Sequence, residues 1–381
     1  MAFTLTVDSE KFRKHTALVV SEYGSAGATV LPVIKGNGYG FSRRLLSHEV
    51  TRLGLKQLAV GTVWELEQAL SDFAGEVRVL EPFTMHDSTG LAEWKRLLEH
   101  NAPRVIVTVS DKQLVAATQA GAQKVFLEGS TSMHRFGMQP HEMSAALDEV
   151  GHQVVIVGLS LHLPIADPTI THVAILESSQ KTNARVLPGR VLEVIGWLGW
   201  YRELAEQHGL AQHVSLSHMT SHEVKQLQEH FSFDGFTCDV RIGTSLWLGA
   251  PDALAVTGTV LAIHEMGMSH TRVGYNQIDS HGHKRLVVVS GGTSHGVALA
   301  SPVSTRTIRK RVIALSEGLF EAVGKVRSPF TWKRDNLVFA ELPHMHVSLL
   351  WCEDTSIAVG DVLPCAIRNT VATFDRVIGL D

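Results

Sequence analysis

Apolar residues in this chain come in short runs of four to six, and most runs are followed by a stretch where apolar positions recur every three or four residues. Runs of that length read as buried strands and the periodic stretches as helices. On that pattern, strands are expected at 30–34, 57–61, 77–80, 104–109, 124–127, 154–159, 213–216 and 236–240. Helices are expected at 43–53, 63–70, 91–99, 111–120 (capped by Asp111), 141–150, 189–208 (amphipathic) and 221–230. Every strand but the last has its helix, so the sheet is parallel, and eight such units suggest a closed (β/α)8 barrel of the TIM type. An open doubly wound sheet would carry Gly-x-Gly-x-x-Gly after its first strand, whereas Gly36, Gly38 and Gly40 are spaced as Gly-x-Gly-x-Gly.

From about residue 255 the rhythm changes. The β-type runs 256–263, 285–289 and 346–350 are separated by Gly- and His-rich turns, with one possible helical turn at 305–315. The organisation expected is therefore α/β: an N-terminal barrel over 1–254 and a mostly β domain over 255–381. There is no low-complexity segment and no repeat beyond the strand–helix alternation.

Composition narrows the class without changing that picture. The chain has 381 residues, of which 44% are hydrophobic and 19% charged, as expected for a globular protein with a sizeable core. A formal net charge of -4 offers no general attraction for nucleic acid or an anionic membrane, so neither is expected as a partner. Three cysteines (Cys238, Cys352, Cys365) have no metal-ligand spacing and an odd count, which suits a reducing compartment. The opening Met-Ala-Phe-Thr-Leu-Thr-Val-Asp lacks a basic region followed by an apolar one, and no apolar run would span a bilayer. A cytoplasmic location is the expectation.

The chemistry begins at Lys35, where the first strand ends on a lysine followed by three alternating glycines and Tyr39. A lysine at the mouth of an apolar strand is partly desolvated, which lowers its pKa and makes a free amine available to an aldehyde cofactor. A lysine snorkelling to water beside a turn is the plain alternative. Barrel enzymes carry their chemistry at the C-terminal strand ends. Those ends supply Arg135 after the fifth strand, His162 after the sixth, Ser217 and His218 after the seventh, and Arg241, Gly243 and Thr244 after the eighth.

Lys35-Gly36-Asn37-Gly38-Tyr39-Gly40 resembles the Lys-Ala-Asn-Ala-Tyr-Gly of the alanine racemase family, fold-type III enzymes that use pyridoxal phosphate (PLP). Ser132 to Gly137, Leu161 to Asp167, and Val240 to Gly249 resemble further segments of that family, in family order. Val273-Gly274-Tyr275 resembles its β-domain Val-Gly-Tyr. The resemblance implies that Lys35 forms the Schiff base and Tyr39 binds the cofactor phosphate. By the same resemblance, Arg135 would lie near the phenolic oxygen and His162 would pack against the ring. Arg241 meets the ring nitrogen, and the amides of Gly243 and Thr244 hold phosphate. It also implies that Tyr275 is the second catalytic base, serving the barrel of the other subunit in a homodimer.

Racemisation needs one acid/base on each face of Cα, which Lys35 and Tyr275 would supply. A phenol near pKa ~10 needs cationic neighbours for that work, with Arg135 the candidate. Arginine keeps its proton, so Arg241 would leave the ring nitrogen unprotonated and favour return of the proton to Cα over transamination. The partner expected is a small-molecule amino-acid substrate, whose identity stays open, and no metal ligand is assigned.

The departures from the family lie on the substrate side. The phosphate-binding serine expected after the seventh strand falls near His218, with Ser217, Thr220 or Ser221 as substitutes. A Gly-Tyr-Ala-Asp-Gly-Tyr segment is replaced by Gly291-Gly292-Thr293-Ser294-His295-Gly296, and no counterpart of the last phosphate-binding tyrosine is found. The Met-Asp pair near the substrate carboxylate falls at Met345-His346, which suits a larger or more acidic substrate than alanine. Three rivals stand beside a racemase. One is a metal-assisted D-hydroxy-amino-acid lyase (dehydratase or aldolase) using His344 and His346, which otherwise read as two histidines edging a strand. Another is a non-catalytic PLP-binding protein, which the β domain and Tyr275 count against. The third is a decarboxylase, for which Trp351-Cys352-Glu353-Asp354 is a poor match.

Overall fold

The computed structural model describes residues 2–168, 187–231, 235–267, 271–280, 282–283, 285–299 and 326–380. The possible helical turn at 305–315 lies outside them. The chain divides into two compact units, Arg13–Gly38 with Ser42–Gly249, and Met1–Phe12 with Tyr39–Phe41 and Ala250–Asp381. After β1 (Thr4–Val7) and α1 (Ser9–Ser25), the chain alternates strand and helix through β2 (Thr29–Pro32), α2 (Arg43–Arg52), β3 (Gln57–Val60), α3 (Leu66–Asp72), β4 (Glu76–Val79) and α4 (Ser88–Asn101). The alternation continues with β5 (Val105–Val109), α5 (Leu114–Gln119), β6 (Lys124–Gly129), α6 (Pro140–Val150), β7 (Val155–Leu161) and α7 (Gly189–His208). It ends with β8 (His213–Ser217), α8 (Ser221–His230), β9 (Thr237–Ile242) and the one-turn α9 (Thr244–Trp247).

Strands β2 to β9 form one parallel sheet in the order β2-β9-β8-β7-β6-β5-β4-β3. Its ends meet through the parallel bridge of Val33 with Ala59, where Ile34 N–H donates to the Ala59 carbonyl at 2.8 Å. The expected barrel is therefore present, and its strands are apolar runs because both faces are covered. All five residues of β5 are buried. The Trp247 indole N–H donates to the Val33 carbonyl at 2.8 Å, tying α9 beneath the end of the first barrel strand.

Three local expectations are corrected. Asp111 does not cap a helix; it has φ 54 inside a 3-10 turn, and α5 begins only at Leu114. The stretch 63–70 opens as a 3-10 turn, Val63–Glu65, before α3. In α7 only Glu203, Glu206 and Gln207 are exposed, so the amphipathic pattern holds for its last turns and its first half is enclosed. No helix among the described residues is long and apolar enough to cross a membrane.

The second unit is mostly β. It contains β10 (Leu254–Glu265), β11 (Arg272–Val273), β12 (Ile278–Asp279), β13 (Arg285–Ser290), β14 (Arg327–Trp332), β15 (Asp335–Phe339), β16 (Val347–Trp351), β17 (Val362–Pro364) and β18 (Arg376–Ile378). Its main sheet runs β14-β15-β16-β13-β10-β1-β18, with β17 also on β10. β1, unmarked in the sequence pattern, joins it antiparallel to β10 and parallel to β18. Phe3, Val260, Val287, Val289, Phe330, Leu350 and Leu363 form its main core.

Gly158 shows how tightly the barrel is drawn. β7 carries a bulge against β6, and a methyl group on Gly158 would overlap the backbone carbonyl of His213 in β8. A backbone strand cannot step aside as a side chain does. Gly158→Ala should cost about 1–3 kcal/mol. Gly199→Ala, in the interior of α7 with nothing within 4 Å of the added carbon, should instead stabilise by ~0.5–1 kcal/mol. Urea midpoints moving in opposite directions at constant m would bear this out; a neutral Gly158→Ala would overturn it.

Candidate active site at the barrel mouth

The lysine loop is held before any ligand is considered. Glu65 accepts the Gly36 N–H at 2.8 Å on one carboxylate oxygen and the Gly61 N–H at 2.7 Å on the other. The Arg43 guanidinium donates to the Gly36 carbonyl at 2.5 Å and to Gln68 at 2.9 Å. Gly36 has φ 66 and Gly38 φ 62, conformations where a side chain is strained. On Gly38 an added carbon would also stand 2.6 Å from the Arg43 backbone nitrogen. Lys35 leaves this loop with its amine pushed below the ordinary lysine range, by burial first and then by Arg135 and Arg241, with Glu65 opposing.

Arg241 reaches the same region from the end of β9 and is 7% exposed. Its Nη atoms donate to the Ser160 hydroxyl at 3.0 Å and the Leu161 carbonyl at 2.6 Å, while its buried Nε has no hydrogen-bond partner among the described residues. Burial lowers its pKa, with Glu128 and Asp239 opposing. His162, after β7, is driven down to about 2 by burial and by Arg241, Arg135, His218 and Lys35, so its imidazole is neutral. His218 is lowered by burial and by Arg241 and Lys35; its ring lies 5.2 Å from His162, edge-on, and its backbone sits at φ 57. The Ser217 hydroxyl accepts the Leu163 N–H at 3.0 Å. Gly243 and Thr244 open α9, where the first N–H groups lack an intrahelical acceptor.

Arg135 lies in the exposed loop after β6, its guanidinium 5.1 Å from the Phe136 ring centre. That loop is clamped by Glu193, which accepts the Ser132 N–H at 2.5 Å and the Ser132 hydroxyl at 2.7 Å. Thr131 donates to the His162 carbonyl at 2.6 Å, linking the loops after β6 and β7. Deeper in the barrel, Glu128 is 1% exposed, and burial raises its pKa against the pull of Arg241, Arg135 and Arg78. Arg78, fully buried, lies 3.5 Å over the Phe126 ring and 3.9 Å from Asp239, which accepts from His213 and Ser215.

Lys35, Arg135, His162, Ser217, His218, Arg241, Gly243 and Thr244 thus lie at the C-terminal ends of strands in one unit. The electrostatic coupling among Lys35, Arg135, His162, His218 and Arg241 brings those five together. Sequence reasoning missed Glu65, Glu128, Ser160 and Glu193. A carboxylate two residues into a 3-10 turn, or one buried inside a strand, carries no local mark of its partner.

Tyr39 and Tyr275 belong to the other unit. Tyr39 is buried at 7% exposure with φ 55. Tyr275 is 82% exposed in the turn between β11 and β12. His344 and His346 do not share a ligand: His344 Nε2 donates to Glu341 at 2.6 Å, and His346 lies 3.2 Å from the Ser294 hydroxyl. Among the described residues no three His, Cys, Asp or Glu side chains gather as a metal site.

A parallel eight-stranded barrel with a lysine and two arginines at its mouth, in one chain with an antiparallel β unit, defines a recognisable class of fold. Residues 7–186 match the family model described as alanine racemase, N-terminal domain. The alanine racemase of a Nitratiruptor species is 26% identical over 160 residues, 42% of this chain and 43% of that protein. The match thus spans less than half the length of that relative. The structure of alanine racemase from D-cycloserine-producing Streptomyces lavendulae superposes with TM-score 0.64 at 16% identity, covering 99% of this chain and 97% of that one. Biosynthetic alanine racemase from Pseudomonas aeruginosa gives TM-score 0.61 at 16% identity, covering 97% and 92%. That from Acinetobacter baumannii gives 0.58 at 14%, also covering 97% and 92%. At such identities these structures speak to the fold alone. Residues 7–186 are thus similar in sequence to the alanine racemase N-terminal domain, and the chain shares the fold of these enzymes.

His162 has a measurable consequence. In the unfolded chain a histidine takes up a proton near pH 6.5, but His162 in the fold does not until about 2. Between those values the unfolded state binds more protons, so stability falls as pH drops through 6.5 and is indifferent to His162 above it. His162→Gln should flatten the acid limb of a stability–pH curve between about pH 4 and 6 by up to ~1.4 kcal/mol per pH unit. An unchanged slope would show that His162 titrates normally.

Proposed function

We propose that this protein is a PLP-dependent amino-acid racemase or epimerase, an isomerase acting at Cα. The observation that carries this reading is the pairing of a desolvated Lys35 amine with Arg241, whose buried Nε lacks an acceptor. Lys35, Arg135 and Arg241 form a cationic surplus beside neutral imidazoles, which suits an anionic cofactor with a ring nitrogen to accept from Arg241. Bound pyridoxal phosphate supplies the sink for the electron pair left when the Cα proton departs.

The chain's own residues do the rest. Lys35 would hold the cofactor through its aldehyde, and its free amine would exchange a proton with one face of Cα. Tyr275 of a second subunit in a homodimer serves the opposite face. Arg241, which keeps its proton, holds the ring nitrogen as an acceptor, and so shortens the life of charge at Cα. His162 would offer a neutral ring to the cofactor, and Arg135 a positive charge to its phenolic oxygen. Tyr39, Ser217, His218 and the Gly243 and Thr244 amides are the candidates for holding phosphate.

The metal-assisted lyase is disfavoured because His344 is engaged by Glu341 and its partner histidine turns to Ser294. As to substrate, Gly61 packs on Lys35 and its carbonyl accepts the Glu81 N–H at 2.8 Å. Glu81 borders a cavity of about 470 Å3 that Trp64, Phe83, Trp94, Asp111 and Phe136 also line. Its size favours side chains larger than methyl, while its carboxylates favour neutral or basic ones, against the more acidic substrate that His346 suggests in the sequence.

Adding pyridoxal phosphate to the purified protein should produce near-ultraviolet and visible absorbance that borohydride fixes on Lys35 and that Lys35→Ala abolishes. Cα–deuterium exchange over an amino-acid panel should be fastest for larger neutral or basic members. Tyr275→Phe should lower exchange by roughly 10²- to 10⁴-fold in one direction. A protein that takes up no pyridoxal phosphate would sink the assignment, and exchange confined to alanine would sink the substrate class.

A further inference from the structure

An exposed tyrosine at a turn ordinarily rotates freely, and a proton-transfer group is of little use until its direction is set. Tyr275 is 82% exposed, yet its ring is stacked on the imidazole of His344, with centroids 4.1 Å apart and planes 26° from parallel. That imidazole is itself immobile. Its Nε2 donates to Glu341 at 2.6 Å, and because a carboxylate only accepts, Nε2 carries the proton. The His344 backbone N–H donates to the Val347 carbonyl at 2.9 Å, and its carbonyl accepts the Thr293 N–H at 2.9 Å.

Glu341 does a second task with the same carboxylate. It accepts the Tyr275 N–H at 3.0 Å, the Asn276 N–H at 3.2 Å and the Asn276 side-chain amide at 3.4 Å. Burial alone would push its pKa up, but the bond from His344 and those backbone N–H groups hold it below the usual carboxylate range. The approach is so close that any side chain on Gly274, at φ +71, would overlap the Glu341 carboxylate. One buried anion therefore holds both the backbone beneath Tyr275 and the flat group against its ring.

We propose that His344, held by Glu341, is the positioning residue of Tyr275, fixing the plane of the phenol and with it the line along which its hydroxyl exchanges a proton. The claim rests on Tyr275 being the second base of the proposed racemase. It gives His344 a task that neither metal binding nor strand-edge polarity supplies.

The protein has four tyrosines, so 3-fluorotyrosine labelling of the full chain yields a spectrum in which Tyr275→Phe identifies one resonance. That resonance should be displaced by the imidazole ring current, and His344→Ala should return it toward the position of free fluorotyrosine. With pyridoxal phosphate bound, His344→Ala should lower Cα exchange roughly 10- to 100-fold in the direction that Tyr275→Phe abolishes, with KM little changed and the opposite direction nearly untouched. His344→Phe, which keeps a stacking ring, should recover more of that loss than His344→Gln, which keeps only the bond to Glu341. An unmoved resonance in His344→Ala would overturn the proposal, as would full activity in His344→Ala alongside a crippled Tyr275→Phe. If Tyr275→Phe itself is fully active, the two-base reading falls first, and the positioning claim falls with it.

Discussion

The constraint on which the barrel mouth depends is the burial of Arg241 without a carboxylate partner among the described residues. A buried charge is tolerated only when its donors are matched, and breaking such a match costs several kcal/mol. Arg241 is met by a hydroxyl and a carbonyl, both neutral, and its Nε is left over. Glu128 compensates electrostatically from beneath without a direct bond, its own carboxyl raised by burial. The depressed basicity of Lys35 and the neutrality of His162 then follow from the same field, since every cation added to that region penalises protonation of the next.

The barrel was legible because its strands are enclosed on both faces, which writes them as unbroken apolar runs. The β unit was legible only in its longer apolar runs, β10, β13 and β16. β14 contains Pro329 and ends on the turn at Lys333, and β15 opens Asp335-Asn336, so neither displays a run that periodicity could find. β1 is four residues long, and its partners lie near residues 255 and 377. No local pattern announces a pairing over that distance. Asp111 failed as a cap for a related reason: it has the right side chain, but its left-handed backbone withdraws it from the helix start.

The site divides the same way. Residues at strand ends were legible because the barrel rule says where to look, and Lys35, Arg135, His162, His218 and Arg241 were found on it. What could not be read is the set of acids that hold them. Glu65 acts on Gly36 across 29 positions, Glu193 on Ser132 across 61, and Glu341 on Tyr275 across 66. In the sequence each looks like ordinary surface charge on a helix or at a strand end, and nothing in its neighbours distinguishes it.

Those three acids solve one problem three times. The loops bearing Lys35, Arg135 and Tyr275 each contain a residue in the left-handed region, Gly36 at φ 66, His134 at φ 51 and Gln277 at φ 51. Gly36 adopts such backbone freely, but at His134 and Gln277 it persists only where the surroundings hold it. A carboxylate offers up to four acceptor directions and makes charge-assisted bonds about twice as strong as neutral ones, so one acid can pin two donors at once. Glu65 takes two backbone N–H groups, Glu193 an N–H and a hydroxyl, and Glu341 two backbone N–H groups and an imidazole. With these acids used as clamps, Lys35, Arg135 and Arg241 form no ion pair with a carboxylate among the described residues. Much of the negative charge nearest the lysine loop is thereby engaged by backbone: both Glu65 oxygens accept N–H groups.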